Sequence, residues 1–482
     1  MSKILDNTTG APLAISDVGQ TIDNVTNYTI PATDYLLWAS SDDIITHIGN
    51  GNIVVNDGSS DLGISDATDL IKGLHPSTVN ANITNTIPVD FVDSKNGYDS
   101  FGRLRTSDIN NIFESTHVNS EQTEFWDYRT VGGGTKTYNN NNARIELGVG
   151  TASGDESLRQ TLNYFHYAAG QSMLLRFTGV LTSGKTNLTT CCGYYNDDNG
   201  LIFRTKDGVF QVGIRTNTSG SVTETWVSQS AFNGDRLDGT GNSTTNKSGH
   251  LLDLDQTQIF EINFQWLGVG SVSFYMHING VGILLHTFHN ANVNNNVYMR
   301  TPHLPIRYEI MNTGVTASAS TMHQICTQVA NEGKSIVGDL INSVDNDRSS
   351  KSIVTSEFRP VISMRVKSTE DAILKITSVA SLVKTSDDVL VHIYFDATLT
   401  GASWVSDSQF VEKDVSATDI SGGTKILSYY ISKQGRSEMS GFTSKFRLGE
   451  YIDGTKQTIT VAMKSISSSA SVLSSIAFKE LF

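Results

Sequence analysis

The sequence predicts an all-β protein: an antiparallel β-sandwich of the jelly-roll or concanavalin/lectin-like kind, with a small α+β module at the N-terminus. Three observations predict it. Charged residues are 17% of the 482, below the ~25% of an average soluble chain, while Asn, Ser, Thr and Gly abound, a mix that favours turns and short strands over helices built from Glu, Lys and Leu. Apolar residues alternate with polar ones at a period of two across several stretches, as half-buried strands require. Turn signals recur roughly every ten residues, and two antiparallel sheets packed face to face bury such alternating faces most economically.

At 482 residues the chain exceeds the roughly 100–200 residues of one domain, so two or three are expected. Residues 1–74 read as an anchoring module. Ser41-Asp42-Asp43 caps a short helical turn ending at Gly49, the strand Ile53-Val54-Val55 follows, and Asn56-Asp57-Gly58 turns the chain. A short helix is predicted over Asp66 to Gly73, with acids in its first turn, Lys72 in its last and glycine at its end. Residues 75–107 carry Pro76 and Pro88 without sustained periodicity and read as an extended arm.

Residues 108–333 read as the sandwich domain. Phe260, Ile262, Phe264 and Trp266, then Val272, Phe274, Met276 and Ile278, form a hairpin across Gly268-Val269-Gly270. Asn279-Gly280 turns the chain into a third strand, Ile283 to Phe288, and Leu201 to Phe203, Asp207-Gly208 and Val209 to Ile214 repeat the pattern. A helix is predicted over Thr321 to Glu332, where Met322, Ile325, Cys326 and Val329 fall on one stripe and Gly333 follows. Residues 334–482 read as a C-terminal β-rich domain or a continuation of the sandwich, with strands at Val361 to Val366, Ile373 to Val379, Val389 to Phe395 and Thr458 to Met463. Heptads and G-X-Y tracts are absent, which excludes a coiled-coil or collagen-like shaft.

The net charge of -14 repels a phosphate backbone, so no nucleic acid is expected as partner. No stretch approaches the ~18 apolar residues of a membrane span, so no membrane insertion is expected. The three cysteines, Cys191, Cys192 and Cys326, fit neither a disulfide framework nor a metal knuckle and read as buried thiols.

Several motifs suggest chemistry. Gly179-Val-Leu-Thr-Ser-Gly184-Lys185-Thr186 matches a phosphate-binding loop, but the helix that chemistry needs after Thr186 is not foreshadowed, so a turn between strands is the reading. Asp197, Asp198 and Asn199 are candidate calcium ligands, although the run departs from the twelve-residue loop and a surface hairpin turn is favoured. His286 and His289 on a strand would point to opposite faces. Glu121 with Glu124, and Asp253 with Asp255, read as solvated acids rather than a glycosidase pair. Trp126, Tyr194, Tyr195, Trp226 and Trp404 stand near polar turns and are candidates for stacking on sugar rings, against the commoner role of packing aromatics. No cofactor and no catalytic residue is expected.

Five runs, Tyr98-Asp-Ser-Phe-Gly-Arg-Leu-Arg105, Phe125-Trp-Asp127, Gly193-Tyr-Tyr-Asn-Asp-Asp-Asn-Gly200, Gln258 to Gly270 and Val297 to Ile310, together resemble a family of virion structural proteins of tailed bacteriophages, marine-host phages especially. The resemblance spans about residues 98–333. It implies a non-enzymatic particle component, located in the virion and assembled in the host cytoplasm, without fixing its station on the particle; the leading expectation is a tail- or baseplate-associated homo-oligomer docked on other virion proteins through residues 1–74. A capsid decoration or head-fibre protein, or a receptor-binding lectin-like adhesin contacting a host surface glycan, are the alternatives it leaves open.

Overall fold

The computed structural model describes strands within residues 4–56, and residues 109–333, 340–370, 372–440 and 447–481. Two units result, Met1–Asp90 and Phe91–Phe482. In the first, β1 (Ile4–Asn7) pairs with β4 (Tyr28–Thr29) and β5 (Ile53–Asn56), and β2 (Leu13–Ile15) pairs with β3 (Gln20–Ile22), all antiparallel. The helices expected at 41–49 and 65–73 and the arm at 75–107 lie outside the described residues.

The second unit is all-β, as expected. Among the described residues it holds no α-helix, only 3-10 turns at Asn140–Asn142 and Gln229–Ala231. Its first sandwich begins with β6 (Ile109–Thr116), β7 (Trp126–Val131), β8 (Thr135–Asn139), β9 (Arg144–Val149), β10 (Glu156–Thr161) and β11 (Met173–Val180). It continues with β12 (Leu188–Tyr195), β13 (Gly200–Lys206), β14 (Val209–Thr216), β15 (Thr223–Ser228), β16 (Gln258–Phe264), β17 (Val272–Ile278), β18 (Val281–Phe288), β19 (Ile306–Asn312) and β20 (Ser320–Glu332). One sheet has seven strands, β15-β14-β13-β12-β19-β10-β7; the other has eight, β18-β17-β16-β11-β20-β9-β8 with β6 on β20, and every pair in both is antiparallel.

Local sequence explains the hairpins. Asp207 and Gly208, at φ 50° and 83°, and Asn279 and Gly280, at 53° and 78°, each supply the two successive left-handed residues that match a tight turn to strand twist. Alternation then sends Tyr194, Phe203, Val212 and Tyr308 of the seven-stranded sheet, and Phe177, Phe260, Ile262 and Phe274 of the other, into one core. Phe203 bridges the layers, its ring 5.0 Å from Phe260 and 5.1 Å from Phe274. Each such buried ring contributes about 1.5–3 kcal/mol of burial.

The helix expected over Thr321 to Glu332 is instead β20, a strand inside the eight-stranded sheet, flanked by β11 on one side and by β9 then β6 on the other. A bulge explains the misreading. Thr178 pairs with Cys326 but Gly179 with Gln324, so Ile325 is the extra residue. The buried positions therefore run Met322, Gln324, then Thr327 and Val329, and the slipped period of two counterfeits helical spacing.

A second sandwich with its own core follows. Its strands open with β21 (Leu340–Asp345), β22 (Lys351–Ile353), β23 (Arg359–Val366), β24 (Ile373–Val383), β25 (Val389–Phe395), β26 (Thr398–Thr400) and β27 (Val405–Ser406). They close with β28 (Val411–Asp414), β29 (Asp419–Ser421), β30 (Thr424–Ile431), β31 (Arg436–Ser440), β32 (Arg447–Leu448), β33 (Thr458–Ser465) and β34 (Ala470–Leu481). One sheet runs β21-β34-β24-β31, with β22 and β32 at its flanks; the other runs β27-β28-β23-β33-β25-β30; β26 and β29 make a flap. The loop after β32 fastens the two sandwiches together. Glu450 N–H donates to the Leu162 carbonyl at 2.9 Å, and Ile452 N–H to Asp127 Oδ2 at 2.9 Å. The approach demands glycine at 449, where a Cβ would sit 1.9 Å from the Leu162 oxygen.

Candidate functional site

The outer face of the seven-stranded sheet and the loop end beside it hold most of the predicted site residues. The turn joining β12 to β13 is built by Asn196, whose Oδ1 accepts from the backbone N–H of Asp198 and of Asn199 at 3.0 and 2.8 Å. Asp197 reaches Arg307 at 2.5 Å. Burial alone would raise the Asp197 carboxyl, yet Arg307 holds it below its ordinary value. Asp198 accepts from Asn217 Nδ2 at 3.0 Å, and Asn199 Oδ1 from the N–H groups of Arg300 and Asn217 at 3.0 and 3.4 Å. The three predicted metal candidates are thus taken up by protein donors, Asp197 by the Arg307 cation and Asp198 and Asn199 by Asn217 and Arg300, and they brace a turn instead of converging on a cation. Among the described residues no group of three or more His, Cys, Asp or Glu is placed to hold a metal.

The five predicted stacking aromatics do not form an open platform. Tyr194 and Tyr195 are 0% exposed and Trp126 2%, so none of the three offers a ring face to solvent. Strand β12 is buried on both faces along its length, Tyr194 against the core and Tyr195 beneath long polar side chains, whereas Trp126 is the one buried residue of β7. Tyr195 lies between the guanidinium groups of Arg215 and Arg307, 5.4 and 5.3 Å from its ring, and donates its hydroxyl to Glu309 at 3.1 Å. Burial pushes Glu309 upward, against the pull of Arg307 and Arg215. Trp226 lies flat on Gly213, where a Cβ would come within 2.3 Å of the indole, and Arg204 covers its ring at 3.3 Å. Its Nε1 donates to Glu224 at 2.9 Å. Arg159 stands 4.7 Å over Trp126, and Arg365 4.1 Å over Trp404. An arginine thus stacks on one face of each of these three tryptophans.

The remaining motifs resolve as turns and pairs. Lys185 donates to the carbonyls of Ser318 and Ala319 at 2.6 and 3.1 Å and to Ser318 Oγ at 2.8 Å, and β12 begins at Leu188, so the phosphate-loop match is a strand connection. His286 accepts from the Asn233 N–H at 3.2 Å, and burial, with His289, lowers its pKa to about 4. Asp255 binds Thr182 Oγ1 and the Ser183 N–H, while Glu121 pairs with Lys136.

Two constellations escaped the sequence reading. Asp155, 4% exposed, is cradled by glycines: its oxygens accept from Gly133 N–H at 2.7 Å and Ala152 N–H at 3.1 Å, and a Cβ at Gly132, Gly133 or Gly150 would fall 2.5–2.8 Å from them. The run Gly132-Gly133-Gly134 was the available signal. In the core, Arg159 donates to His117 Nε2 at 2.8 Å, to Gln324 Oε1 at 2.6 Å and to the Glu121 carbonyl. Burial lowers Arg159 to about 9, and burial together with Arg159 lowers His117 to about 4.

No protein-family model matches the chain, and no curated protein is significantly similar to it in sequence. Among solved structures it is similar to the CBM2 module of Lactobacillus casei BL23 phage J-1 evolved Dit, at 7% identity and TM-score 0.32 over 48% of this chain and 99% of that one. It is similar also to a legume lectin-like domain from Entamoeba histolytica, at 8% identity and TM-score 0.28 over 46% and 98%. A third is the endo-beta-1,4-glucuronan lyase from the fungus Trichoderma reesei, at 8% and 0.30 over 45% and 94%.

Proposed function

We propose that the chain is a non-catalytic structural component of a tailed-phage virion, associated with the tail or baseplate, docking through residues 1–74 and carrying two β-sandwiches. One observation carries the reading. Four of the five sequence runs that resemble virion proteins lie within the described residues, and these supply latches of the first sandwich. Tyr194 donates to the carbonyls of Phe165 and Pro302 at 2.9 and 2.7 Å and accepts from the Leu304 N–H at 3.1 Å. Trp266 Nε1 donates to the Met299 carbonyl at 3.1 Å, Asn199 accepts from Arg300, and Arg307 grips Asp197 and Gln160. Asp127, in another of these runs, accepts from the second sandwich. Residues whose side chains are engaged in holding a body together serve architecture, and the buried acids and cations beside them face each other rather than a substrate.

Quantitative mass spectrometry of purified particles, before and after heads and tails are separated, tests the proposal. We expect the chain with tails, at about 3–18 copies per particle as closed symmetry allows. A head fraction at many tens of copies would make it a decoration protein instead, and absence from particles would sink the virion reading altogether.

A further inference from the structure

We propose that the junction of the two sandwiches holds a chloride ion, clasped between Arg447 of the second sandwich and Asn163 of the first. Arg447 opens β32, which pairs with β24 of the second sandwich, yet it lines a cavity whose other walls, Phe113, Glu114, Phe125, Asn163 and Phe165 among them, belong to the first. Its Nε and Nη1 are buried and have no hydrogen-bond acceptor. Burial lowers its pKa, and the ionisable group felt beside it is the Tyr194 hydroxyl rather than any acid. Glu114, in the same lining, is exposed and accepts instead from Asn111 Nδ2 at 3.0 Å. Other buried arginines are provided for by the chain: Arg159 has Gln324 and the Glu121 carbonyl, and Arg307 has Asp197 and Gln160. For Nε and Nη1 of Arg447 the chain provides nothing.

The occupant follows from charge and size. A guanidinium taken out of water without a counter-charge is strongly unfavourable, and apolar surroundings magnify its attraction for an anion. The surroundings are of that kind: the Phe113 ring lies 6.1 Å from Phe125 and 5.1 Å from Phe165. Asn163 brings a carboxamide with two further N–H donors to the same lining. The space open to a guest's centre is about 10 Å³, enough for one water-sized sphere. A halide fits it, whereas sulfate, phosphate or an acidic sugar does not, and a water molecule would fill it without neutralising the cation. Chloride held there bonds to both sandwiches at once, adding an ionic clasp beside the hydrogen bonds of the loop after β32.

The full chain is compared in sodium chloride and in sodium gluconate at equal ionic strength. Chloride should raise the unfolding temperature saturably, by roughly 1–3 °C, and the protein should broaden the chloride NMR line. Part of that broadening should yield to bromide yet resist sulfate, which is too large for the cavity. In Arg447→Met, which keeps the reach of the side chain without its charge, the saturable rise and the sulfate-resistant broadening should both vanish, while circular dichroism shows the fold kept and stability in gluconate does not fall. Should that variant misfold, the competition on the unsubstituted chain decides alone. No saturable rise with chloride, broadening that sulfate removes as fully as bromide does, or a chloride effect that persists in Arg447→Met overturns the proposal.

Discussion

Arginine decides much of the residue-scale behaviour, because its flat guanidinium can cover a ring and hold hydrogen bonds at once. Arg159 does this inside the core, so Arg159→Ala would strand the His117 and Gln324 side chains and the Glu121 carbonyl together. We expect a loss of about 3–5 kcal/mol, read as a fall in the urea midpoint. The buried histidines set a pH dependence. His117 and His303 are held near 4, His117 by burial and then Arg159, His303 by burial and then His166, against about 6.5 in the unfolded chain. Between those values the unfolded state binds more protons, so stability is full above about 6.5 and is lost as pH falls toward 4. At pH 5 the loss should be on the order of 2 kcal/mol per histidine, and His117→Gln should flatten part of the slope in urea titrations at pH 7 and pH 5.

Strands depend on small residues where one layer must lie against another. Gly213→Val would drive a side chain into the Trp226 indole, lifting both the ring and Arg204 from the sheet. A cost of about 1–3 kcal/mol and a shift in tryptophan fluorescence are expected, with the fold retained. The hairpins were legible because they are local: alternation and the Asp207-Gly208 and Asn279-Gly280 turns lie within a few residues of what they organise. Strand β20 was not, because a bulge at Ile325 defined only by its pairing with β11 disguised its period. The aromatic candidates were misjudged for a related reason. Exposure of Trp226 and Trp404 is set by Arg204 and Arg365, neighbours across the sheet rather than along the chain. Likewise the glycine run at 132–134 is plain in the sequence, but the Asp155 carboxylate it surrounds belongs to another strand entrance.

At the scale of the molecule, the hydrogen bonds from the loop after β32 to Leu162 and Asp127 are expected to couple the two cores. Gly449→Ala, or Asp127→Ala on the facing side, should uncouple them, turning a single calorimetric transition into two while each core keeps its own packing. A single unchanged transition in both variants would mean that the sandwiches are joined by other contacts. The pairing of β6 with β20 carries a different consequence. Residues 109–116 find their partners only at 326–332, so the first sandwich cannot close until more than two hundred further residues have left the ribosome. At about 5–20 residues per second that is roughly 10–40 s of nascent life with an apolar strand edge open. Yield from a host cell should therefore be limited by folding kinetics, improving with slower growth, cooler temperature or chaperone supply, even though the finished protein is well packed.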